Sequence, residues 1–178
     1  MILTDATILK EIELGNIVVE PFVAEHVGTN SIDLTLGDTI VVYADEVLDP
    51  KSKPNTYEIL IPESGLVLMP NRLYLATTVE HTETRGAVPV IEGKSSLGRL
   101  GLFVHITAGF GDDGFCGQWT LELCPVQPIK IYKGMKICQI SYHKTTEPPL
   151  RSYDKKDDAK YNNQRGVTAS KMYRNFED

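Results

Sequence analysis

Segment 92–102 contains residues well suited to binding a charged ligand. It holds two cations, Lys94 and Arg99, together with two adjacent hydroxyls at positions 95 and 96 and three glycines. Glycine lets backbone N–H groups approach phosphate oxygens closely, arginine can donate two parallel hydrogen bonds, and lysine supplies a point charge. The composition favours a phosphorylated ligand. A turn whose charges face solvent is the alternative for such a cluster taken alone.

Glu122 is a second candidate for chemistry, because it lies between Leu121 and Leu123 in a run that predicts a core strand. Side chains alternate along a strand, so Glu122 shares a face with Thr120 and not with the two leucines. If that face borders an enclosed site, the carboxylate can transfer protons. If it borders water, Glu122 is only a solvent-side charge. Both interpretations are open on this pattern alone.

The glycine-rich segment 108–117 separates two predicted strands and carries Asp112 and Asp113. Four glycines and two aspartates are typical of a tight, hairpin-like loop. A surface turn with capping aspartates explains the composition equally well, so the loop by itself does not indicate a site.

The elements that must position these residues are mostly strands. Thr4 or Asp5 can cap one N-terminal helix, and Gly15 follows it where a left-handed residue ends a helix. Ten short β-rich runs follow at close spacing, which predicts a sandwich or barrel. The predicted strands are 32–36, 39–43, 57–61, 66–68, 74–79, 88–92, 102–107, 119–124, 129–132 and 137–143.

Length and composition predict one globular domain spanning residues 1–178. Apolar residues make up 42% of the chain and charged residues 24%, with a formal net charge of −6. A net negative charge opposes nucleic-acid binding, so any basic site must be local. We expect no membrane association and a cytoplasmic location, since no apolar run reaches the ~18 residues of a membrane helix and the start lacks signal-peptide features.

The cysteines and histidines give no clear metal motif. Cys116, Cys124 and Cys138 form no Cys-x-x-Cys pair, which argues against a disulfide framework and a zinc cage. Residues 81–83 (His-Thr-Glu) fit the first half of the zinc deaminase pattern, but the Cys-x-x-Cys half is missing. We interpret this triplet as a chance match and expect no protein-bound zinc.

The C-terminal tail, residues 148–178, is polar but rich in aromatic side chains. Tyr153, Tyr161, Tyr173 and Phe176 persist where hydrophobicity otherwise falls. A merely solvated tail seldom carries so many aromatic residues, so we expect it to dock on the rest of the protein.

Six ordered segments together resemble the dCTP deaminase family over nearly the whole chain. They are residues 31–37 (SIDLTLG), 93–102 (GKSSLGRLGL), 107–110 (TAGF), 120–122 (TLE), 134–139 (GMKICQ) and 159–166 (AKYNNQRG). The resemblance implies a mainly β fold, a distorted jelly roll or β-barrel of the dUTPase-like (β-clip) type with one N-terminal helix. It also implies a homotrimer with active sites between subunits, and a mobile tail, 148–178, that closes over them.

The chemistry implied is hydrolytic deamination of dCTP at C4 of cytosine without a metal on the attacking water, with Mg²⁺ carried by the triphosphate. By resemblance Glu122 is the general base, and Ser95, Arg99 and the Ala108 carbonyl orient the water and stabilise the intermediate. The nucleotide-binding residues implied are Lys94, Ser95, Ser96, Leu97, Gly98, Arg99, Asp112, Thr120, Leu121, Glu122, Gln139, Tyr153, Lys160 and Gln164. dUTP is a further expected substrate and dTTP an expected inhibitor.

Gly109 and Phe110 resemble the bifunctional type of the family, which also cleaves the triphosphate and releases dUMP and diphosphate. The single-activity type usually has histidine where this chain has Gly109. A departure lies next to it, since the bifunctional pattern commonly has isoleucine and proline where this chain has Gly111 and Asp113. Glycine would loosen the loop and aspartate would add negative charge near a triphosphate. A modified cytosine nucleotide is therefore an open alternative substrate.

Three other functions are carried as alternatives. One is a monofunctional deaminase that releases dUTP, and another is a dUTP diphosphatase without deamination, which Glu122 together with Ser95 and Arg99 argues against. The third is a catalytically silent, nucleotide-binding regulatory subunit.

Overall fold

The computed structural model describes residues 1–177, which form one helix at the N-terminus followed by a largely β architecture. Helix α1 spans Asp5–Glu13 and α2 spans Ser95–Arg99. The strands are β1 Ile17–Glu20, β2 Ile32–Tyr43, β3 Thr56–Leu60, β4 Leu66–Leu68, β5 Tyr74–Thr84, β6 Ala87–Gly93, β7 Leu102–Phe103, β8 Cys116–Pro125, β9 Ile129–Ile131 and β10 Lys136–Lys144.

Eight strands form one sheet, in which every strand pairing is antiparallel and the strand order differs from the chain order. The order is β6-β10-β2-β5-β8-β7, with β1 added to β5 and β3 added to β2, while β4 and β9 form a separate pair. Most sheet neighbours are not consecutive in the chain, so distant segments meet at most strand pairs. This barrel-like, mainly β arrangement confirms the predicted fold class.

The core is a single cluster of aliphatic and aromatic side chains enclosed by these strands. β8 shows why: its residues alternate strictly between buried and half-buried positions. Leu121 and Leu123 face the core and are almost fully buried, whereas Thr120 and Glu122 lie on the opposite face. The period-2 pattern thus places the candidate carboxylate outside the core.

Several predicted elements were wrong in their bounds. Segments 32–36 and 39–43 are one strand, β2, which contains a register irregularity between Leu36 and Ile40. Gly37 lies within it, and a Cβ there would come within 2.8 Å of the Thr77 side chain. A glycine that looks like a strand terminator is instead required by close contact inside the strand.

Strand 102–107 was also predicted too long, and two elements were missed. The strand ends at Phe103, because the chain then turns so that the Ile106 N–H can reach the Glu122 carboxylate. The short strand β1 was not predicted. Helix α2 was missed as well, since its serines and glycine have low helix propensity.

The tail lies along the outer face of β8, as the aromatic content predicted. Tyr153 packs near Phe115 with ring centroids 6.1 Å apart, and Gln164 pairs in parallel with Gly117. Farther along, the Ser170 N–H donates to the Tyr43 hydroxyl at 3.1 Å. Within residues 1–177, no helix has both the length and the apolar character needed to cross a membrane.

Candidate active site

A cavity of about 420 Å³ lies between the exposed face of β8, loop 104–115 and the tail. The predicted site residues that line it are Ala108, Phe110, Asp112, Thr120, Glu122, Tyr153 and Gln164. Gly111 and Trp119 close one side. The structure therefore brings residues of the distant tail together with residues of β8 and of the loop that precedes it.

Glu122 is held at the cavity wall by the neighbouring loop. Its backbone N–H donates to the Val104 carbonyl at 2.9 Å, and its carboxylate Oε2 accepts from the Ile106 N–H at 2.9 Å. Among residues 1–177 the structure shows no donor to the other oxygen, Oε1. One oxygen thus fixes the side chain while the other is left for a ligand, which is the arrangement a general base needs.

The tail also contacts β8, at Thr120 and Gln118. The Thr168 N–H donates to the Thr120 hydroxyl at 3.1 Å, and Gln164 Nε2 donates to the Gln118 carbonyl at 2.6 Å. These bonds hold the tail against the strand that carries Glu122. The tail is consequently part of the cavity wall.

Loop 104–115 approaches β6 too closely for a side chain at Gly109. The Ile91 N–H donates to the Gly109 carbonyl at 2.7 Å, and a Cβ at Gly109 would come within 2.5 Å of the Ile91 carbonyl and 2.8 Å of His105 Nε2. A larger residue requires the loop to shift. Phe110, next in the chain, has 70% of its surface exposed and lines the cavity.

Gly111 does not leave a gap where the family pattern has isoleucine. A Cβ at Gly111 would lie 2.6 Å from the ring of Trp119 and 2.9 Å from the Pro89 carbonyl. Trp119 is fixed in turn, because its indole N–H donates to the Thr82 hydroxyl at 2.9 Å. The indole ring therefore occupies the volume that a side chain at position 111 would take, and packing restrains the loop despite the glycine.

The two aspartates of the loop face different ways. Asp112 lines the cavity beside Tyr153, whereas the Asp113 carboxylate accepts from the Gly86 N–H at 3.0 Å. The Asp113 carbonyl also accepts from the Tyr153 N–H at 2.8 Å. Asp113 thus links the loop to the tail and is not among the residues that line the cavity.

Tyr153 stays a neutral phenol over a wide pH range. Burial raises the pKa of Tyr153, and the nearby Asp112 charge raises it further, while a hydrogen bond from the Tyr161 N–H opposes both. A neutral hydroxyl can donate a hydrogen bond to a ligand.

A second group of predicted site residues lies around α2 and does not line this cavity. Ser95, Ser96, Gly98 and Arg99 are exposed on α2, and Leu97 is buried beneath it. Within residues 1–177 the cavity wall contains none of segment 94–99. The hydroxyls and the guanidinium are therefore presented outward.

Lys94 and Gln139 anchor the start of α2 to the sheet. The Lys94 ammonium forms an ion pair with Asp33 of β2, which also pairs with Lys136 at 3.1 Å. Gln139 accepts from the Ser31 hydroxyl at 2.7 Å and donates to the Gly93 carbonyl at 3.1 Å. Burial by itself would raise the pKa of Asp33, but Lys94 and Lys136 hold it below its usual range.

The side chains of two predicted residues belong to neither group. Leu121 points into the core, so only its backbone is available to a ligand. Lys160 is half-buried in the tail, and its carbonyl accepts from the Lys171 ammonium at 2.7 Å.

The cavity also has lining residues that the sequence did not indicate. Tyr43, Tyr161, Thr168 and Ser170 were not predicted as site residues, and Tyr43 comes from the far end of β2. The aromatic content of the tail was the available signal for Tyr161. No local pattern marks the others.

The charges on the cavity wall are all negative among the described residues. Asp112 and Glu122 are its charged side chains, and no lysine or arginine lines it. A triphosphate cannot be held by two carboxylates, so the cations for a phosphorylated ligand must come from outside this wall.

The sequence matches a family model described as dCTP deaminase-like over residues 2–145. Among curated proteins, one from Clostridium botulinum (strain Eklund 17B / Type B) is 50% identical over 177 residues, covering 99% of both chains. A Leptospira biflexa (strain Patoc 1 / Ames) protein is 47% identical over 178 residues, again 99% of both chains. Both are named "dCTP deaminase, dUMP-forming".

A solved structure supports the fold. The crystal structure of 2'-deoxycytidine 5'-triphosphate deaminase from Agrobacterium tumefaciens superimposes with a TM-score of 0.65 at 22% identity. The match covers 81% of the present chain and 48% of that chain, so the present chain spans about half of its length. The superposition confirms the predicted dUTPase-like β fold.

Proposed function

The chain belongs to the dCTP deaminase family, and on that premise we propose that it converts dCTP and water to dUMP, ammonia and diphosphate. The observation that carries this proposal is the position of the Glu122 carboxylate. It is fixed through one oxygen at the wall of a nucleotide-sized cavity. This chain covers 99% of the length of the relatives named dUMP-forming, which supports the same activity here.

Glu122 acts as the general base of deamination. It takes a proton from water as the oxygen attacks C4 of cytosine, and it passes a proton to the amino group, which leaves as ammonia. Positioned acid–base catalysis of this kind contributes about 10²- to 10⁴-fold in rate. The Ala108 carbonyl, on the same cavity wall, orients the attacking water.

Ser95 and Arg99 act in the cavity of a neighbouring subunit of a homotrimer. Three findings support this: both side chains are exposed on α2, neither lines the cavity of its own chain, and among the described residues that cavity has no cation on its wall. A neighbour that presents α2 at the open side would add the missing guanidinium and hydroxyls, which stabilise the tetrahedral intermediate and bind phosphate. Active sites therefore form only in the assembled trimer.

The tail and the metal complete phosphate binding. Tyr153 and Gln164 already lie on the cavity wall, and Lys160 lies between them in the sequence of the tail. The substrate enters as its Mg²⁺ complex, because magnesium binds phosphate oxygens in preference to a cage of protein ligands. dTTP inhibits by occupying the same cavity.

We propose that the nucleotide product is dUMP and not dUTP. The supporting observation in the structure is Gly109, whose missing side chain leaves room for the loop to lie against the Ile91 carbonyl and His105. Water attack on the triphosphate would then follow deamination in the same site, so that dUTP hydrolysis yields dUMP and diphosphate.

We propose a cytoplasmic location for this chemistry.

Incubation with dCTP and Mg²⁺, followed by separation of nucleotides and an ammonia assay, tests the proposal. We expect ammonia and dUMP in equal amounts without accumulation of dUTP. dUTP as the sole nucleotide product would limit the activity to deamination, and dUMP from dUTP without turnover of dCTP would identify a diphosphatase. Nucleotide binding without any turnover would favour a regulatory subunit.

A further inference from the structure

His81, Glu83 and Cys116 form a cluster that the proposed reaction does not use. His81 and Glu83 belong to β5, and Cys116 begins β8, directly opposite Glu83 in the antiparallel register. Their potential ligand atoms all lie within 4.8 Å of one another. His81 and Glu83 are thus joined by a third residue of a metal-ligating type, 33 residues beyond Glu83 in the chain.

The separations of these atoms suit a tetrahedral metal ion. His81 Nε2 lies 3.2 Å from Glu83 Oε1 and 3.6 Å from Cys116 Sγ. Zinc–nitrogen and zinc–oxygen bonds of about 2.1 Å and zinc–sulfur bonds of about 2.3 Å at tetrahedral angles place nitrogen about 3.4 Å from oxygen and about 3.6 Å from sulfur. The two separations measured from His81 Nε2 are therefore close to those of a tetrahedral site.

Hydrogen bonding alone satisfies this cluster poorly. Nε2 of a neutral imidazole can donate one proton, yet it faces both the carboxylate and the sulfur. His81 is 6% exposed, and its other nitrogen, Nδ1, is buried with no partner among residues 1–177. A divalent cation would replace the thiol proton and neutralise the carboxylate.

In place of the expectation of no protein-bound zinc, we propose that His81 Nε2, Glu83 and Cys116 Sγ bind one zinc-class cation that links β5 to β8. Thiolate and imidazole ligands favour zinc over magnesium or calcium, which prefer all-oxygen sites. The site is separate from the proposed catalytic carboxylate, since Cys116 and Glu122 are six residues or about 20 Å apart along the strand. The cation is therefore not the one that activates water in zinc deaminases.

The cation site lies where the tail docks on β8. The Cys116 N–H donates to the Asn162 side chain at 3.3 Å, and the Asn163 N–H donates to the Cys116 carbonyl at 2.7 Å. By fixing Cys116 to β5, the cation would stabilise the strand end to which residues 162–164 are bonded.

Cobalt titration of the metal-free, full-length protein tests the proposal, because Co²⁺ bound to a thiolate gives a charge-transfer band in the near ultraviolet. We expect this band at one Co²⁺ per chain, with zinc displacing cobalt. Cys116→Ser should remove the band and weaken zinc binding at least about a hundredfold, which is the upper range for losing a merely supporting residue.

The matched control is Cys124→Ser, which changes another half-buried cysteine on the same face of β8. It should keep both the band and the zinc affinity, whereas Glu83→Gln should weaken zinc binding and shift the band. No near-ultraviolet band in the unmodified protein, or equal zinc affinity in Cys116→Ser and Cys124→Ser, would overturn the proposal. The readout is independent of deaminase activity.

Discussion

At the scale of single residues, Glu122 shows how the chain separates a reactive group from its core. Its neighbours Leu121 and Leu123 are buried, and their packing fixes the strand so that the carboxylate must face the cavity. The Ile106 N–H then holds one carboxylate oxygen. In the proposed reaction the side chain needs no further reorganisation before it accepts a proton, which is how preorganised groups lower a barrier.

Replacement of Glu122 by glutamine should stop ammonia release while nucleotide binding is kept. Glutamine can still accept from the Ile106 N–H but cannot take a proton, so we expect the deamination rate to fall by about 10²- to 10⁴-fold or more. Ammonia release and calorimetric dTTP binding measure the two effects. The control is Glu13→Gln, an exposed carboxylate at the end of α1. Turnover equal to that control would refute the role of Glu122.

At the scale of elements, loop 104–115 is held by packing rather than by its own conformational preferences. Gly109 lies against β6, and Gly111 lies against the indole of Trp119. Trp119 also donates to Thr82, so β8 and β5 together define where the loop can lie. The glycines are sites of close approach, and the expectation of a loosened loop at Gly111 does not follow from the residue type alone.

Gly111→Ala should destabilise the protein, because the new methyl group would collide with Trp119 and the Pro89 carbonyl. Overpacking of this kind costs about 1–3 kcal/mol. Gly98→Ala is the control, since a Cβ there meets nothing within 4 Å and lies in helix α2. Urea unfolding of both variants measures the difference. Equal stability would show that the loop moves freely.

The link between β2 and α2 is electrostatic and therefore depends on pH. Asp33 has a depressed pKa in the folded protein, so its contribution is complete above the unfolded value of about 3.9 and is lost as pH falls through the lower, folded pKa. Since the Asp33 and Lys94 side chains are partly exposed, the contribution is about 1 kcal/mol or less.

Asp33→Asn should consequently lower the free energy of unfolding near neutral pH, and its deficit should shrink as the pH is brought towards about 3. Asp158→Asn, which changes an exposed carboxyl with no ion pair in the part of the chain described, is the matched control. Urea unfolding across the pH range gives the comparison. A deficit that is constant with pH would mean that the Asp33 charge is not responsible.

At the scale of the whole molecule, the proposed active site is larger than the chain. Its candidate residues fall into one group around the cavity and another around α2, and the cavity group is acidic among residues 1–177. An acidic protein with a net charge of −6 can still bind a triphosphate if neighbouring copies present Arg99 to one another's cavities.

Mixed trimers test this division directly. Glu122→Gln and Arg99→Ala should each be inactive alone, but subunits refolded together should regain about a quarter of the wild-type activity, since random cyclic assembly leaves that share of sites with both residues intact. The double variant, refolded with itself, should regain nothing. Sedimentation analysis checks that trimers form. Absence of recovery in the mixed trimers would place Glu122 and Arg99 in the same subunit's site.

The sequence predicts the mainly β class, the N-terminal helix, the docking of the tail and the family, because these depend on local patterns and contiguous motifs. It also indicated Glu122, Asp112, Tyr153 and Gln164, which the structure brings to one cavity. Their catalytic and binding roles stay predictions. Strand bounds were less accurate, since bulges and loop turns depend on contacts with other strands.

Which residues meet across strands depends on the tertiary structure. It separated α2 from the cavity, filled the space beside Gly111 with Trp119, and set Cys116 against His81 and Glu83. The contact of Cys116 with His81 and Glu83 is fixed by the register of β5 with β8, and that of Gly111 with Trp119 by the approach of a loop to the sheet. Such contacts join residues far apart in the chain, and no short-range pattern in the sequence encodes them.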